Sequence, residues 1–200
     1  MADRERGLPS EVLPEPTDTQ GFSFLGSTPV WSGWILGLTH DRFMGPGSEP
    51  FERDVVHHPG AVAIVAVSND GLVTLVRQYR GPLRTTILEL PAGTCDVEGE
   101  PLEVTARREL AEETGLVAER WELLVATYNS PGFCTQRTSI FLATGLSLGT
   151  PDRHGPEEEW MTTVEVPLAD LGARMASGDL VDETTLLGMH LAQGVLDRRA

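Results

Sequence analysis

"GTCDVEGEPLEVTARRELAEETGL" (residues 93–116) is the stretch from which the rest of the chain is read. Its second half has a helical pattern. Pro101 suits the first turn, Leu102, Ala106 and Leu110 recur at four-residue spacing as a buried stripe, and Gly115 suits a left-handed C-cap. On such a helix Glu109, Glu112 and Glu113 stand at i, i+3 and i+4 and share one face. Like charges at that spacing repel by roughly 0.2–0.5 kcal/mol per pair. They also lie near the C-terminal end, where the macrodipole favours cations. Arg108 answers Glu112 at i+4, but Glu109 and Glu113 are two carboxylates one turn apart. That pair is able to chelate a hard divalent cation, since Mg²⁺ commonly takes one or two carboxylates together with waters and phosphate oxygens. A solvated acidic face accounts for the pair taken alone.

Upstream of this stretch, "AVAIVAVS" (61–68), "NDG" and "LVTLVRQYR" (72–80) predict two strands joined by an Asp-Gly turn. "TILEL" (86–90) predicts a third strand, which ends at Pro91-Ala92-Gly93. Downstream, strands are predicted near 121–128, 138–146 and 158–168, followed by two closing helices. Strands and helices do not alternate strictly, so an α+β fold with a mixed sheet is predicted rather than a doubly wound one. Residues 22–59, with "FSFLGSTPVWSGWILGLTHDRFM" and "FERDVVHH" on either side of a Gly/Pro turn, predict two or three antiparallel strands. The expected organisation is a disordered tail over 1–21, this β segment over 22–59, and a main domain over 60–200.

The composition limits the classes of function. The chain has 200 residues, of which 40% are hydrophobic and 22% charged, as in a globular domain with a real core. Its longest apolar run, "GAVAIVAV" (60–67), has strand length rather than membrane length. A net charge of −15 argues against a nucleic-acid surface, yet permits a polyanionic small molecule if divalent cations mediate the contact. Two cysteines, Cys95 and Cys134, allow neither a disulfide framework nor a zinc quartet. The N-terminus has no apolar signal region. A cytoplasmic protein without membrane or nucleic-acid partners is expected.

The spacing across 93–116 resembles the Nudix box, G-x5-E-x7-R-E-U-x-E-E-x-G-U with U aliphatic. Glu100, Arg108, Glu109, Leu110, Glu112, Glu113, Gly115 and Leu116 match it, and the loop after Gly93 carries one extra residue. The resemblance implies an α/β/α sandwich and a pyrophosphohydrolase. It implies that Glu109, Glu113 and Glu112, with the Ala92 carbonyl, hold two or three Mg²⁺ ions, Mn²⁺ being possible. Arg108 would hold the glutamates by ion pairing, and Glu100 would support the loop or a further ion. "HHPGAVAIVAV", "VRQYR" and "ELPAG" look like the ADP-ribose pyrophosphatase subgroup, and Pro131 in "NSPGF" lies sixteen residues after Gly115, as in enzymes specific for ADP-ribose. Ser-Pro-Gly is also an ordinary turn.

In that subgroup the N-terminal β segment swaps across a homodimer. By alignment Trp34 would stack on adenine and Arg53 would reach the partner's site, while Arg80 could contact phosphate. Plain packing for Trp34 and a strand-end surface role for Arg80 are the alternatives. The general base is expected from "RHGPEEEW" (153–160), with Glu158 the best match in register, then Glu157, and Glu159 beside them. Gln136 stands where the subgroup usually has an acidic residue, which leaves the sugar nucleotide open. His57 and His58 are read as structural. The implied reaction is hydrolysis of ADP-ribose to AMP and ribose 5-phosphate. Another nucleoside diphosphate sugar or a dinucleotide is the close alternative, and a non-catalytic Nudix-like sensor the distant one.

Overall fold

In the computed structural model, residues 19–149 and 160–199 are described. Most of the expected tail, and Glu157, Glu158 and Glu159, lie outside them. The chain divides into two compact units, residues 1–60 with 128–137, and residues 61–127 with 138–200.

The first unit is a three-stranded antiparallel sheet in the order β1 (Ser23–Ser32), β2 (Gly37–Met44), β3 (Pro50–His57). Phe22, Phe51, Phe43 and Phe24 form a chain of ring contacts across it, with Phe43 and Phe51 stacked at 5.3 Å. The residue pattern explains why this sheet has little core of its own. Along β1 nearly every side chain is exposed, including Val30 and Trp31. The segment Ser130–Gln136 closes the unit: Val56 N–H donates to the Phe133 carbonyl at 2.7 Å, and Thr135 N–H to the Val56 carbonyl at 2.9 Å.

The second unit is built on β4 (Ala61–Val67), which reads as a continuous apolar run because both of its faces are covered. The strand path of its seven-stranded sheet is β10 (Thr162–Pro167), β5 (Leu72–Arg80), β4, β9 (Arg137–Leu148), β8 (Leu116–Tyr128). Off that path, β6 (Thr85–Glu89) pairs with β5 and β7 (Ala92–Thr94) pairs with β4. The sheet is mixed, as the irregular alternation predicted: β4 runs parallel to β9 and antiparallel to β5 and β7.

Side chains of β4 alternate between two cores. Val62, Ile64 and Ala66 pack with Ala106 and Leu110 of α1 (Leu102–Thr114). Ala63, Val65 and Val67 face the other way, into the cluster that holds Leu90, Met189 and Ala192. The last two belong to α3 (Glu183–Asp197), which follows a short helix α2 (Leu171–Ser177). The result is the α/β/α sandwich that the resemblance implied. No helix among the described residues is long and apolar enough to cross a membrane.

Two details of α1 differ from the sequence reading. Pro101 is the N-cap, with φ −61° and ψ 139°, so the helix begins one residue later than its first-turn placement implied. Leu102 is exposed; as the first helical residue it lies a full turn before Ala106, and the buried residues are Thr105, Ala106, Leu110 and Glu113. Thr105 is bound from below, its hydroxyl donating to Glu100 Oε2 at 2.8 Å. Gly115 is the predicted cap, with φ 72° and its N–H donating to the Ala111 carbonyl.

Candidate active site

The site lies where the C-terminal half of α1 faces the turn from β6 into β7. Glu113 is 3% exposed, and its Oε2 accepts the Ala92 N–H at 3.1 Å. Burial of a carboxylate costs several kcal/mol in order of magnitude unless it is hydrogen-bonded or paired, so this contact accounts for part of its place there. Gly93 makes the approach of the helix possible. A Cβ on it would lie 1.9 Å from Glu109 Cδ. The glycine that opens the box is therefore a space requirement, filled by the Glu109 carboxylate.

Arg108 gathers the remaining acids. Its Nη1 donates to Glu109 Oε1 at 2.7 Å and to Glu112 Oε2 at 3.1 Å, and its Nη2 to Glu100 Oε2 at 3.3 Å. Partial burial of the guanidinium acts against its charge, but the Glu109 charge, the Glu100 hydrogen bond and Glu112 outweigh it and hold Arg108 protonated. Its Nε is buried without a partner among the described residues. Arg107, on the next helical azimuth, serves packing: it pairs with Glu103 at 2.8 Å and lies 4.9 Å over the Trp121 ring. Cys95 sits beside the cluster, and burial, with Glu109, Asp96 and Glu100 adding to it, pushes its thiol up to about 11.

Ala92, Glu100, Arg108, Glu109, Glu112 and Glu113 are thus brought together. Among the described residues no three His, Cys, Asp or Glu side chains converge with metal-ligand spacing. Glu109 and Glu112 turn toward Arg108, and Glu113 toward the Ala92 amide. The donor set nonetheless fits a hard divalent cation. It consists of carboxylate oxygens on one helix face and a backbone turn, with Gly93 leaving the room that Glu109 needs.

Arg80 lies at the end of β5 in the same unit, its Nε and Nη2 both 2.8 Å from Glu89 Oε2. Glu89 is nearly buried; burial pushes its carboxyl up, Arg80 pulls it down, and Asp182 adds to the rise. Neither this partner nor Asp182 was evident from sequence, because they are nine and 102 residues from Arg80, with no spacing rule that joins them.

Trp34, Arg53, Pro131 and Gln136 belong to the other unit. Trp34 is 93% exposed in the turn between β1 and β2, so within this chain it is not a core residue. Arg53 donates to the Glu52 carbonyl at 2.7 Å and lies 5.0 Å over the Phe51 ring. Pro131 is in a turn closed by the Ser130 carbonyl, which accepts from Phe133 and Cys134. Gln136 N–H donates to Cys134 Sγ at 3.4 Å. His57 and His58 are occupied locally: His57 Nε2 is 2.8 Å from Thr39 Oγ1, and His58 Nδ1 accepts the Gly60 N–H at 3.0 Å.

The NUDIX domain family model matches residues 56–181, which include the whole of this cluster. The chain is 40% identical over 175 residues to the ADP-ribose pyrophosphatase of Mycobacterium tuberculosis (strain ATCC 25618 / H37Rv), covering 87% of this chain and 84% of that protein. It is 37% identical over 164 residues to the ADP-ribose pyrophosphatase of Bacillus subtilis (strain 168), covering 82% and 88%. Over 141 residues it is 31% identical to the GDP-mannose pyrophosphatase of Yersinia pestis (strain Pestoides F), covering 67% and 70%. The crystal structure of an ADP compounds hydrolase has the same fold, with TM-score 0.79 over 92% of this chain and 99% of that one at 20% identity. On the glutamate helix, the turn it faces and these matches together, the chain belongs to the NUDIX domain family.

Proposed function

We propose that this protein hydrolyses the diphosphate bond of ADP-ribose, releasing AMP and ribose 5-phosphate. The observation that carries the reading is the packing of Glu109 and Glu113 against the Ala92–Gly93 turn. It places hard oxygen donors together on a rigid helix, and the 40% and 37% identical relatives bear the name ADP-ribose pyrophosphatase.

Ala92, Glu109, Glu112 and Glu113 would hold Mg²⁺, two or three ions in all, or Mn²⁺ in its place. When bound, such ions neutralise the diphosphate and lower the pKa of a bound water. The chain's own residues do the rest. Arg108 keeps Glu109 and Glu112 from separating under their mutual repulsion. Arg80 is assigned a phosphate oxygen, for which it would release Glu89. Water attacks one phosphorus, the bridging P–O bond breaks, and the water's proton passes to a base. Glu158, or Glu157 beside it, is assigned that base.

We assign residues 60–200 to catalysis and 22–59 to dimerisation and substrate contact. Trp34 is given to the adenine, Arg53 to the partner's site, and Pro131 and Gln136 to substrate contact. The exposed apolar side chains Phe24, Val30, Trp31 and Trp34 support a homodimer that covers them. The two free cysteines fit a cytoplasmic setting.

Purified protein with Mg²⁺ is tested on ADP-ribose, ADP-mannose, GDP-mannose and diadenosine polyphosphates, with AMP or GMP measured. ADP-ribose is expected to give the highest kcat/KM. A higher value on GDP-mannose would move the protein to the chemistry for which the Yersinia relative is named, and no release from any substrate would overturn the reading.

A further inference from the structure

The Leu90–Pro91–Ala92 turn is held by hydrogen bonds from three different elements. The Pro91 carbonyl accepts the Ile64 N–H of β4 at 2.9 Å, and the Ala92 N–H donates to Glu113 of α1 at 3.1 Å. The third bond comes from the last helix: the Leu90 N–H donates to Thr185 Oγ1 at 2.9 Å, ninety-five residues along the chain.

Thr185 is 0% exposed, and a buried hydroxyl is costly unless it is hydrogen-bonded. Its direction is fixed by Asp182, the N-cap of α3. Asp182 Oδ2 accepts the Thr185 hydroxyl at 2.7 Å and the Thr185 N–H at 2.8 Å. With its proton on Asp182, the hydroxyl turns a lone pair to Leu90. One turn further, Gly188 allows the helix to press on the same residue, since a Cβ there would lie 2.8 Å from Leu90 Cδ1 and 3.0 Å from Val65 Cγ2. Leu90 is thereby gripped at its amide and at its side chain by one face of α3.

We propose that Thr185 is a positioning residue for the metal-binding end of the site. The relay Asp182–Thr185–Leu90 sets the orientation of the next two peptides, and so of the Ala92 carbonyl and of Glu113, which is tied to the Ala92 amide. This rests on the assignment of Ala92 and Glu113 as metal ligands under the proposed function. The C-terminal helix then contributes to the site without touching substrate, through a residue far outside the glutamate motif.

The test compares Thr185→Val, Thr185→Ser and wild type by Mn²⁺ titration, by hydrogen exchange at the Leu90 and Ala92 amides, and by kcat and KM on ADP-ribose. Residues that support metal ligands typically cost about 10–100-fold in affinity or activity when changed. Thr185→Val is expected to bind Mn²⁺ about tenfold more weakly, with kcat reduced similarly, KM little changed and both amides exchanging faster. Thr185→Ser should restore all four. If Thr185→Val does not fold, Asp182→Ala at its part-exposed position carries the test, with a smaller loss of Mn²⁺ affinity expected. Wild-type Mn²⁺ affinity and kcat in a folded Thr185→Val or Asp182→Ala protein would overturn the proposal and reduce Thr185 to a partner for a buried N–H. Weakened Mn²⁺ binding in the variant, beside a wild type inactive on ADP-ribose, would uphold the positioning role and sink only the substrate.

Discussion

Glu113 Oε2 accepts the backbone N–H of Ala92 at 3.1 Å, a bond that ties the last full turn of α1 to the turn entering β7. Both residues stand among the proposed ligands, so the hydrogen bond fixes the distance between a carboxylate and a carbonyl before any ion arrives. Glu113→Gln keeps the shape and offers an amide oxygen to Ala92, but removes the charge. Turnover is expected to fall by more than the about 100-fold typical of residues that only support ligands, with the thermal melt little changed. Steady-state kinetics alongside circular dichroism checks this, and unchanged turnover would remove Glu113 from the ligand set.

Gly93→Ala inserts a methyl group where Glu109 Cδ would be 1.9 Å away. The Glu109 side chain is the mobile party, so the carboxylate should move out and the fold should persist. Overpacking of this kind costs about 1–3 kcal/mol. The larger expected effect is on Mn²⁺ affinity, read by titration. A variant with reduced stability and normal affinity would contradict the role given to this glycine.

Arg108 serves Glu100, Glu109 and Glu112 through two nitrogens of one planar group. Lysine offers a single point charge without the fork. Arg108→Lys is therefore expected to remain folded and lose about 10–100-fold in kcat. Wild-type kinetics in this variant would show that charge alone suffices.

Chelation provides a test independent of substitution. Acids on one helix face repel one another, and a cation that binds only the folded state stabilises it by about 2.7 kcal/mol at a hundred times its dissociation constant. Adding excess EDTA should abolish turnover, and saturating Mg²⁺ should raise the melting temperature. The rise should be smaller in Glu113→Gln. A melting temperature indifferent to Mg²⁺ would argue against a specific site.

Two histidines of the N-terminal unit should give opposite pH signatures. Burial lowers the pKa of His58 below its usual 6.5, and its Nδ1 must stay unprotonated to accept the Gly60 N–H. The unfolded chain then binds the proton more readily, so stability is present above pH 6.5 and is lost as pH falls from there through the folded value. His40 is raised above 6.5 by hydrogen bonds to Asp54 and Glu52. Its contribution is present below 6.5 and is lost as pH rises through the folded value. Because His40 is exposed, that contribution is small and screened by salt. NMR titration of the ring nitrogens checks both, and a His58 pKa above 6.5 would contradict the acceptor geometry.

Much of α1 is readable in the sequence because its determinants are local. Gly115 caps α1 as its position implied, and Arg108 meets Glu112 at the i+4 spacing. Leu102 was misread for a related reason. Periodicity places it on the buried face, but only packing decides how far along a helix the covered part extends. Glu89 and Thr185 gave no signal, since their partners Arg80 and Leu90 adjoin them only after the sheet and the last helix have assembled.

The sequence by itself determined which side chains share a face: the box spacing puts Glu109, Glu112 and Glu113 on one side of a helix, and the apolar run 60–67 marks a strand. These follow from helical and strand periods, which act over a few residues. What only the tertiary structure decided is which backbone those glutamates face and what holds it. Ala92 meets Glu113, Gly93 makes room for Glu109, and Thr185 fixes Leu90, in each case across a long separation in the chain. Hydrogen bonding and close packing depend on distances in space, and these arise only when β4, α1 and α3 enclose the same turn.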